Sequence, residues 1–286
     1  MMMYKRNFAV FILSHGRPQN VITLKTLKKQ GYKGKYYIIC DNEDDTIVEY
    51  IRIYGKNNVV IFNKKEIAEK IDEGDNFNDR RVILYARVAC FEIAKKLGIT
   101  HFLQLDDDYE SFGYKIVNGG KLKTKKVDIQ KVIELYLDFL DKTNSLTIAF
   151  GQGGDLIGGA NNPKMKNPIG RKAMNSFFCK TENPIPFVGR INEDVNMYTT
   201  CNIRGEKIFS FFKVSLIQKQ TQSQKGGMTE IYLDNGTYIK AFYSVMYAPS
   251  CVKVSVMGDT HKRIHHEVKW DKCAPKILQE YYKKKG

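Results

Sequence analysis

The chain has 286 residues, 43% hydrophobic and 27% charged, enough for one large domain or two small ones with a sizeable core. Its 46 Lys and Arg against 31 Asp and Glu leave a formal net charge of +15, which favours an anionic partner, nucleic acid first, although a solvated lysine-rich surface gives the same sum. Six cysteines without a CxxC pair and five histidines without an HExxH pattern exclude a disulfide framework and a common zinc motif. The short N-terminal apolar run, which leads into a glycine turn, speaks against a signal peptide or membrane span. Reduced core thiols in a cytosolic protein are the expectation.

In chain order, "FAVFILS" is an apolar strand, Pro18 can open a helix, "VITLKTLKKQ" has helical spacing and Gly31 can end it. "YYIICDN" repeats the strand with a polar end, "TIVEYIRIYG" is helical and closes on Gly55, and "VVIF" is a third strand. The amphipathic run "DRRVILYARVACFEIAKKLG" predicts a long helix that ends on Gly98 and delivers the chain into the strand "THFLQL". Strands separated by helices predict an α/β fold with a doubly wound, mostly parallel sheet, in which ligands bind beyond the carboxyl ends of the strands. Polar clusters at Ser14–Arg17, Asp41–Asn42 and Asp106–Asp108 should therefore meet in one crevice.

Further on, "FGYKIVNGGKLKT" predicts a hairpin about Gly119–Gly120, and "DIQKVIELYLDFLDKT" a helix capped by Asp128. "IAFGQGGDLIGGANNPKMKNPIGRK" reads as a long loop, with "QGGDLIGG" in it a flexible wall between donor and acceptor. The segment from "FSFFKVSLIQ" to "YIKAFYSVMYAP" predicts strand-like runs around a Gln-rich loop and an Asp-Asn-Gly turn. There is no internal repeat.

The stretch "HFLQLDDDYESF" sets three adjacent carboxylates at a strand end. They repel one another, so a cation or a set of donors must neutralise them unless they form a solvated turn. An Asp-x-Asp pair suits a divalent metal that neutralises a nucleotide diphosphate. A second acidic motif, "GRINEDVNMYT", carries Glu193 and Asp194, which equally suit the first turn of a helix.

Taken together, "FILSHGRP", "LQLDDDYESF", "QGGDLIGG", "RKAMNSFFC", "GRINEDVN" and "RIHHEVKW" resemble the phage-encoded TET-associated glycosyltransferases, a branch of the GT-A nucleotide-sugar transferases, from about Phe8 to Trp270. The resemblance implies a GT-A-like domain over residues 1–286, with a nucleotide-sugar half (1–110) and an acceptor-side α+β half (111–286). It implies a sugar moved from a nucleotide donor, UDP-linked, to a hydroxymethylated pyrimidine such as hydroxymethylcytosine in DNA, inside an infected bacterial host and away from any membrane. It also implies a divalent metal, manganese or magnesium.

Residue by residue, Asp106 and Asp108 match the metal-binding pair, with Asp107 beside them on the donor. Ser14, Gly16 and Arg17 match the first nucleotide-binding turn, and Asp41 the acid that reads base or ribose. Arg87 matches a cation near the diphosphate. Glu193 and Asp194 match the later acidic motif, with Asp194 the expected catalytic base. A C-terminal histidine completes the metal site, the choice among His261, His265 and His266 being open. Lys219 and Lys225 are candidates for DNA phosphates, and Tyr109, Phe177 or Phe178 for stacking on a flipped base. A transferase acting on a small molecule or glycan, or a nucleotidyltransferase, would share the donor site without needing the basic surface. A DNA-binding protein without catalysis would need the charge but not the carboxylates.

Overall fold

A computed structural model describes residues 6–77, 79–218, 231, 234, 236, 238–258, 262–276 and 283–284. Its strands are β1 (Phe8–Leu13), β2 (Lys35–Asp41), β3 (Val59–Phe62), β4 (His101–Asp106), β5 (Tyr109–Asn118), β6 (Lys121–Lys126), β7 (Thr147–Gly151), β8 (Ile169–Gly170), β9 (Ser176–Lys180), β10 (Ile208–Gln218), β11 (Val252–Met257) and β12 (Arg263–Val268). Its helices are α1 (Ile22–Lys29), α2 (Ile47–Tyr54), α3 (Lys64–Ala68), α4 (Leu84–Lys96), α5 (Ile129–Thr143), α6 (Glu193–Ile203) and α7 (Ile239–Tyr247).

β1 consists of apolar residues alone and is buried on both faces, as an inner parallel strand must be. Alternate side chains feed two cores. Ala9, Phe11 and Leu13 join the core that holds Ala89, Ile93 and Val195 of α4 and α6, while Val10 and Ile12 join the one that holds Leu24, Leu27, Ile133 and Leu137 of α1 and α5. The sheet is thus covered by helices on both sides.

Strand order is β3-β2-β1-β4-β9-β7-β10-β5-β6, with β8 paired to β10. β3, β2, β1 and β4 are parallel, β7 and β10 are parallel, and the remaining pairs are antiparallel. The doubly wound parallel half expected from the sequence is followed by a mixed half in the same sheet. The chain winds outward from β1 to β3 and then returns to lay β4 on the other side of β1. The strand order therefore reverses between β1 and β4, where an α/β sheet opens a crevice beyond its carboxyl ends.

Several local expectations hold. Asp128 caps α5, its Oδ1 accepting N–H from Gln130 at 3.1 Å and Lys131 at 3.4 Å. Gly119 and Gly120 take φ of +59° and +70°, the left-handed pair that a two-residue hairpin turn requires. Others differ. Pro18 opens only a short 3-10 turn before α1, and α4 starts at Leu84 rather than near Asp79. The aromatic run from Ile239 to Tyr247, read as strand-like, is helical: Ala241, Ser244 and Ala248 are buried at helical spacing on the side of α7 that packs on α6 and β12, and that burial overrides strand propensity. The long loop folds into three 3-10 turns. All six cysteines are buried and free. Among the described residues no helix is long and apolar enough to cross a membrane.

Candidate active site

The turn after β1 is tied to the turn after β4. Ser14 Oγ donates to Asp107 Oδ2 at 2.5 Å, and Arg17 Nη2 pairs with Asp107 Oδ1 at 3.0 Å. Gly16 sits at φ +67°, and its N–H donates to Asp44 Oδ2 at 2.7 Å. Tyr50 OH lies 2.6 Å from Ser14 Oγ and accepts the Arg17 N–H at 2.9 Å. Thr23 of α1 latches the other side: its N–H donates to Asp107 O at 3.0 Å and its Oγ1 to Asp106 O at 2.6 Å, while it accepts the Tyr109 N–H at 2.9 Å. Asp107, expected on the donor, is therefore a buried anchor for the first turn. Burial raises its carboxyl to about 6, with Arg17 and Ser14 pulling the other way.

At the end of β2, Asp41 is held between His15 Nδ1 at 2.8 Å and the buried Lys64 Nζ at 3.0 Å. Burial opposes its charge, but the His15 hydrogen bond and Lys64 outweigh that and lower its pKa; the same bond raises His15. An imidazole whose protonated form is favoured and the Lys64 side chain thus flank a carboxylate at the end of β2.

The two acidic motifs meet through Arg87. Its Nε donates to Glu193 Oε1 at 2.9 Å and its Nη2 to Asp106 Oδ1 at 3.1 Å, with the guanidinium 4.9 Å over the Phe177 ring. Only 1% of its side chain is exposed, against 22% for Asp106. Burial works against its charge, but Asp106 and Glu193 raise its pKa regardless. Arg87, expected beside a diphosphate, instead lies beneath the carboxylates and joins the end of β4 to the start of α6. Burial raises Asp106 to about 6, with Arg87 opposing.

α6 begins at Glu193 after Asn192, which is left-handed at φ +62°. Its first turn holds Glu193 and Asp194, both buried. Asp194 Oδ1 accepts the Val195 N–H at 2.7 Å. Burial, and next the Glu193 charge, raise Asp194 to about 7, while Arg87 and Lys240 oppose. Asn192 Nδ2 donates to Ser244 Oγ at 2.6 Å and faces His266 Nδ1 at 3.3 Å. β12 thus brings His266 to the start of α6. His265 turns its Nδ1 to the His266 carbonyl at 2.7 Å. Burial lowers His266 to about 3, so its imidazole is neutral.

Among the described residues, no three His, Cys, Asp or Glu side chains are grouped to hold a metal. Asp106, Asp108, His265 and His266 do not make a protein-only cage. Hard divalent cations at phosphate sites take one or two carboxylates and complete their shell with substrate phosphates and water, and Asp106 with the half-buried Asp108 suits that arrangement.

Tyr109, Phe177 and Phe178 are fully buried and cannot stack on a base. Tyr109 OH donates to Asn175 O, Phe177 lies under Arg87, and Phe178 packs on Tyr136 and Phe150. Lys219, Lys225 and His261 lie outside the described residues. His15, Asp44, Tyr50, Lys64 and Lys240 carry the site's charge and hydrogen bonds without having been singled out in the sequence. In the loop, Asp155 is buried and pairs with Lys164 at 3.1 Å and Lys172 at 2.5 Å.

A sequence profile described as TET-Associated Glycosyltransferase matches residues 8–227. No curated protein matches the chain. Among solved structures, glucosyl-3-phosphoglycerate synthase from Mycobacterium tuberculosis in complex with Mg2+ and uridine diphosphate superposes with a TM-score of 0.50 at 8% identity, over 92% of this chain and 87% of that one. S. aureus TarS (residues 1–349) gives 0.42 at 13% identity over 84% of this chain and 65% of its own. Mannosyl-3-phosphoglycerate synthase from Rubrobacter xylanophilus gives 0.43 at 8% over 92% and 87%.

Proposed function

The chain belongs to the TET-associated glycosyltransferase family and is a nucleotide-sugar glycosyltransferase of GT-A fold; from that premise we propose that it transfers a sugar from a UDP-linked donor to the hydroxyl of a hydroxymethylated pyrimidine, hydroxymethylcytosine first, in DNA. The observation that carries the reading is the Arg87 bridge, which joins Asp106 at the strand-order reversal to Glu193 beside Asp194. The DNA acceptor draws further support from the net charge of +15, and the UDP donor from the fold shared with a synthase solved with Mg2+ and uridine diphosphate.

The turn Ser14–Arg17 and Asp41 with His15 receive the nucleotide. Asp108 and Asp106 would hold a divalent cation, which would supply charge neutralisation for the leaving diphosphate. Asp194 takes the proton of the acceptor hydroxyl as that oxygen bonds to the anomeric carbon. The bond from that carbon to the diphosphate oxygen breaks with its electron pair, and single displacement inverts the anomeric centre. A carboxyl raised to about 7 is suited to this step, because near neutral pH a substantial fraction is ionised and that fraction is basic enough to accept a proton. Arg87 touches no substrate in this scheme and is a positioning residue for Asp106 and Glu193. His266, neutral, lies beside Asn192 at the start of α6.

The test incubates the protein with several UDP-sugars, manganese or magnesium, and hydroxymethylated DNA, then digests the DNA to nucleosides for mass analysis. The expected product is a hydroxymethylated nucleoside heavier by one sugar residue. Transfer to small acceptors or glycans alone would overturn the DNA reading.

A further inference from the structure

β5 leaves the acidic turn at Tyr109 and forms with β6 a two-stranded ribbon at the edge of the sheet. From Ser111 to Val127 the sequence holds five lysines and no acid. Pairing sets Tyr114 opposite Lys125, Ile116 opposite Lys123 and Asn118 opposite Lys121. Cross-strand partners share a face, so Lys121, Lys123 and Lys125 form a row on one side of the ribbon, about 6.8 Å apart. All three are exposed, as is Lys126, and so is 42% of Tyr114 in the same row. The turn Gly159–Asn161 of the long loop packs against β6, and that loop adds the exposed Lys166.

We infer that the β5–β6 ribbon is a track for the sugar-phosphate backbone of the DNA acceptor, away from the reacting base. The inference rests on the reading of DNA as acceptor and names the surface that holds it. A row of like charges with no acid among them is self-repelling, and a polyanion laid along it relieves that repulsion while its counterions are released. The row opposes Tyr114 to Asn118, which lie roughly 20–35 Å along β5 from the acidic turn. At about 3.4 Å per base pair that span corresponds to roughly six to ten base pairs. The ribbon thus holds DNA well beyond the modified base, and affinity should depend on acceptor length. Lysines also protect an edge strand from pairing with other chains, but that role predicts no dependence on salt or DNA length.

The experiment compares the full chain with K121Q/K123Q/K125Q and with K29Q/K95Q/K96Q, which removes the same charge from exposed helix ends elsewhere. Each protein is assayed on the hydroxymethylated nucleoside and on hydroxymethylated DNA of 4 to about 24 base pairs, across a salt series, with melting temperature as a check on folding. The ribbon variant should raise the KM for long DNA at least tenfold, flatten its length dependence and reduce the salt slope by about three, leaving nucleoside turnover unchanged. Wild-type transfer to DNA with equal KM, slope and length dependence in the ribbon variant would overturn the ribbon and leave the acceptor reading standing. An equal loss in the control variant would also overturn it, because net charge alone would then be responsible. Absence of wild-type transfer to any DNA, with transfer to small acceptors, would overturn both.

Discussion

A single buried carboxylate carries opposite demands of chemistry and stability at Asp194. Its pKa rises from 3.8 to about 7, so the folded state binds a proton more readily than the unfolded chain. Its stabilising contribution is therefore complete below the unfolded value and is lost as pH rises through the folded one. Asp194→Asn, which keeps the Oδ1 acceptor for Val195 N–H, should slow transfer by about 10²–10⁴ with donor affinity retained. The same variant should be roughly 1–3 kcal/mol more stable at pH 8, with the gain vanishing near pH 4, as denaturant titrations at both pH values will register. Wild-type kcat/KM should fall about tenfold per unit as pH drops below the Asp194 value; a flat profile would remove Asp194 as the base. Arg87 offers a second test. Arg87→Lys keeps a charge but loses the fork that spans Glu193 and Asp106, so transfer should drop at least about tenfold while donor Kd changes little. If donor Kd weakens in proportion instead, the guanidinium contacts the diphosphate after all. Arg87→Met strands two acids and should cost about 3–5 kcal/mol in a melting experiment.

The turn after β1 shows at the scale of an element how backbone shape serves binding. A Cβ at Gly16 would meet nothing within 4 Å, so only its φ of +67° resists substitution. Gly16→Ala should cost about 1 kcal/mol and weaken donor binding, and Gly16→Asn, which tolerates the left-handed region, should restore most of both. Calorimetric donor titration checks the pair; equal losses for Ala and Asn would point to side-chain bulk instead. Elements whose patterns are local were legible in the sequence. The strand ends at Ser14, Asp41 and Asp106 could be read because parallel strands must deliver polar residues to one edge, and the β5–β6 turn because two glycines permit it. α7 was not legible, since Tyr, Phe, Val and Ile favour strands until a partner helix selects the helical face. Nor were Lys64 and Lys240, whose roles arise only when β2 meets α3 and when α7 meets the first turn of α6. Arg87 was found, but its direction was not: a sequence places a guanidinium near two acidic motifs without saying whether it lies above or below them.

At the scale of the whole molecule, the site gathers residues far apart in the chain, from Ser14 after β1 of the large sheet to His266 on β12, which pairs with β11 in a separate two-stranded sheet. Because no three His, Cys, Asp or Glu side chains are grouped to hold a metal among the described residues, chelation should leave the melting temperature within about 2 °C while abolishing transfer, unlike a domain whose folding energy resides in a structural metal. A large drop in melting temperature on chelation would reveal an ion that holds the fold. The six cysteines carry another consequence. Each is at most 1% exposed, and burial raises the pKa of every thiol. An alkylating or disulfide reagent attacks the thiolate, so none of the six should react until its part of the chain opens. The native thiols thus form a silent background, against which one cysteine introduced on the exposed ribbon can be labelled without removing the others. Their own slow reaction becomes a clock: Cys40 and Cys179 lie in adjoining halves of the sheet, and the ratio of their rates tells whether those halves open together or one at a time.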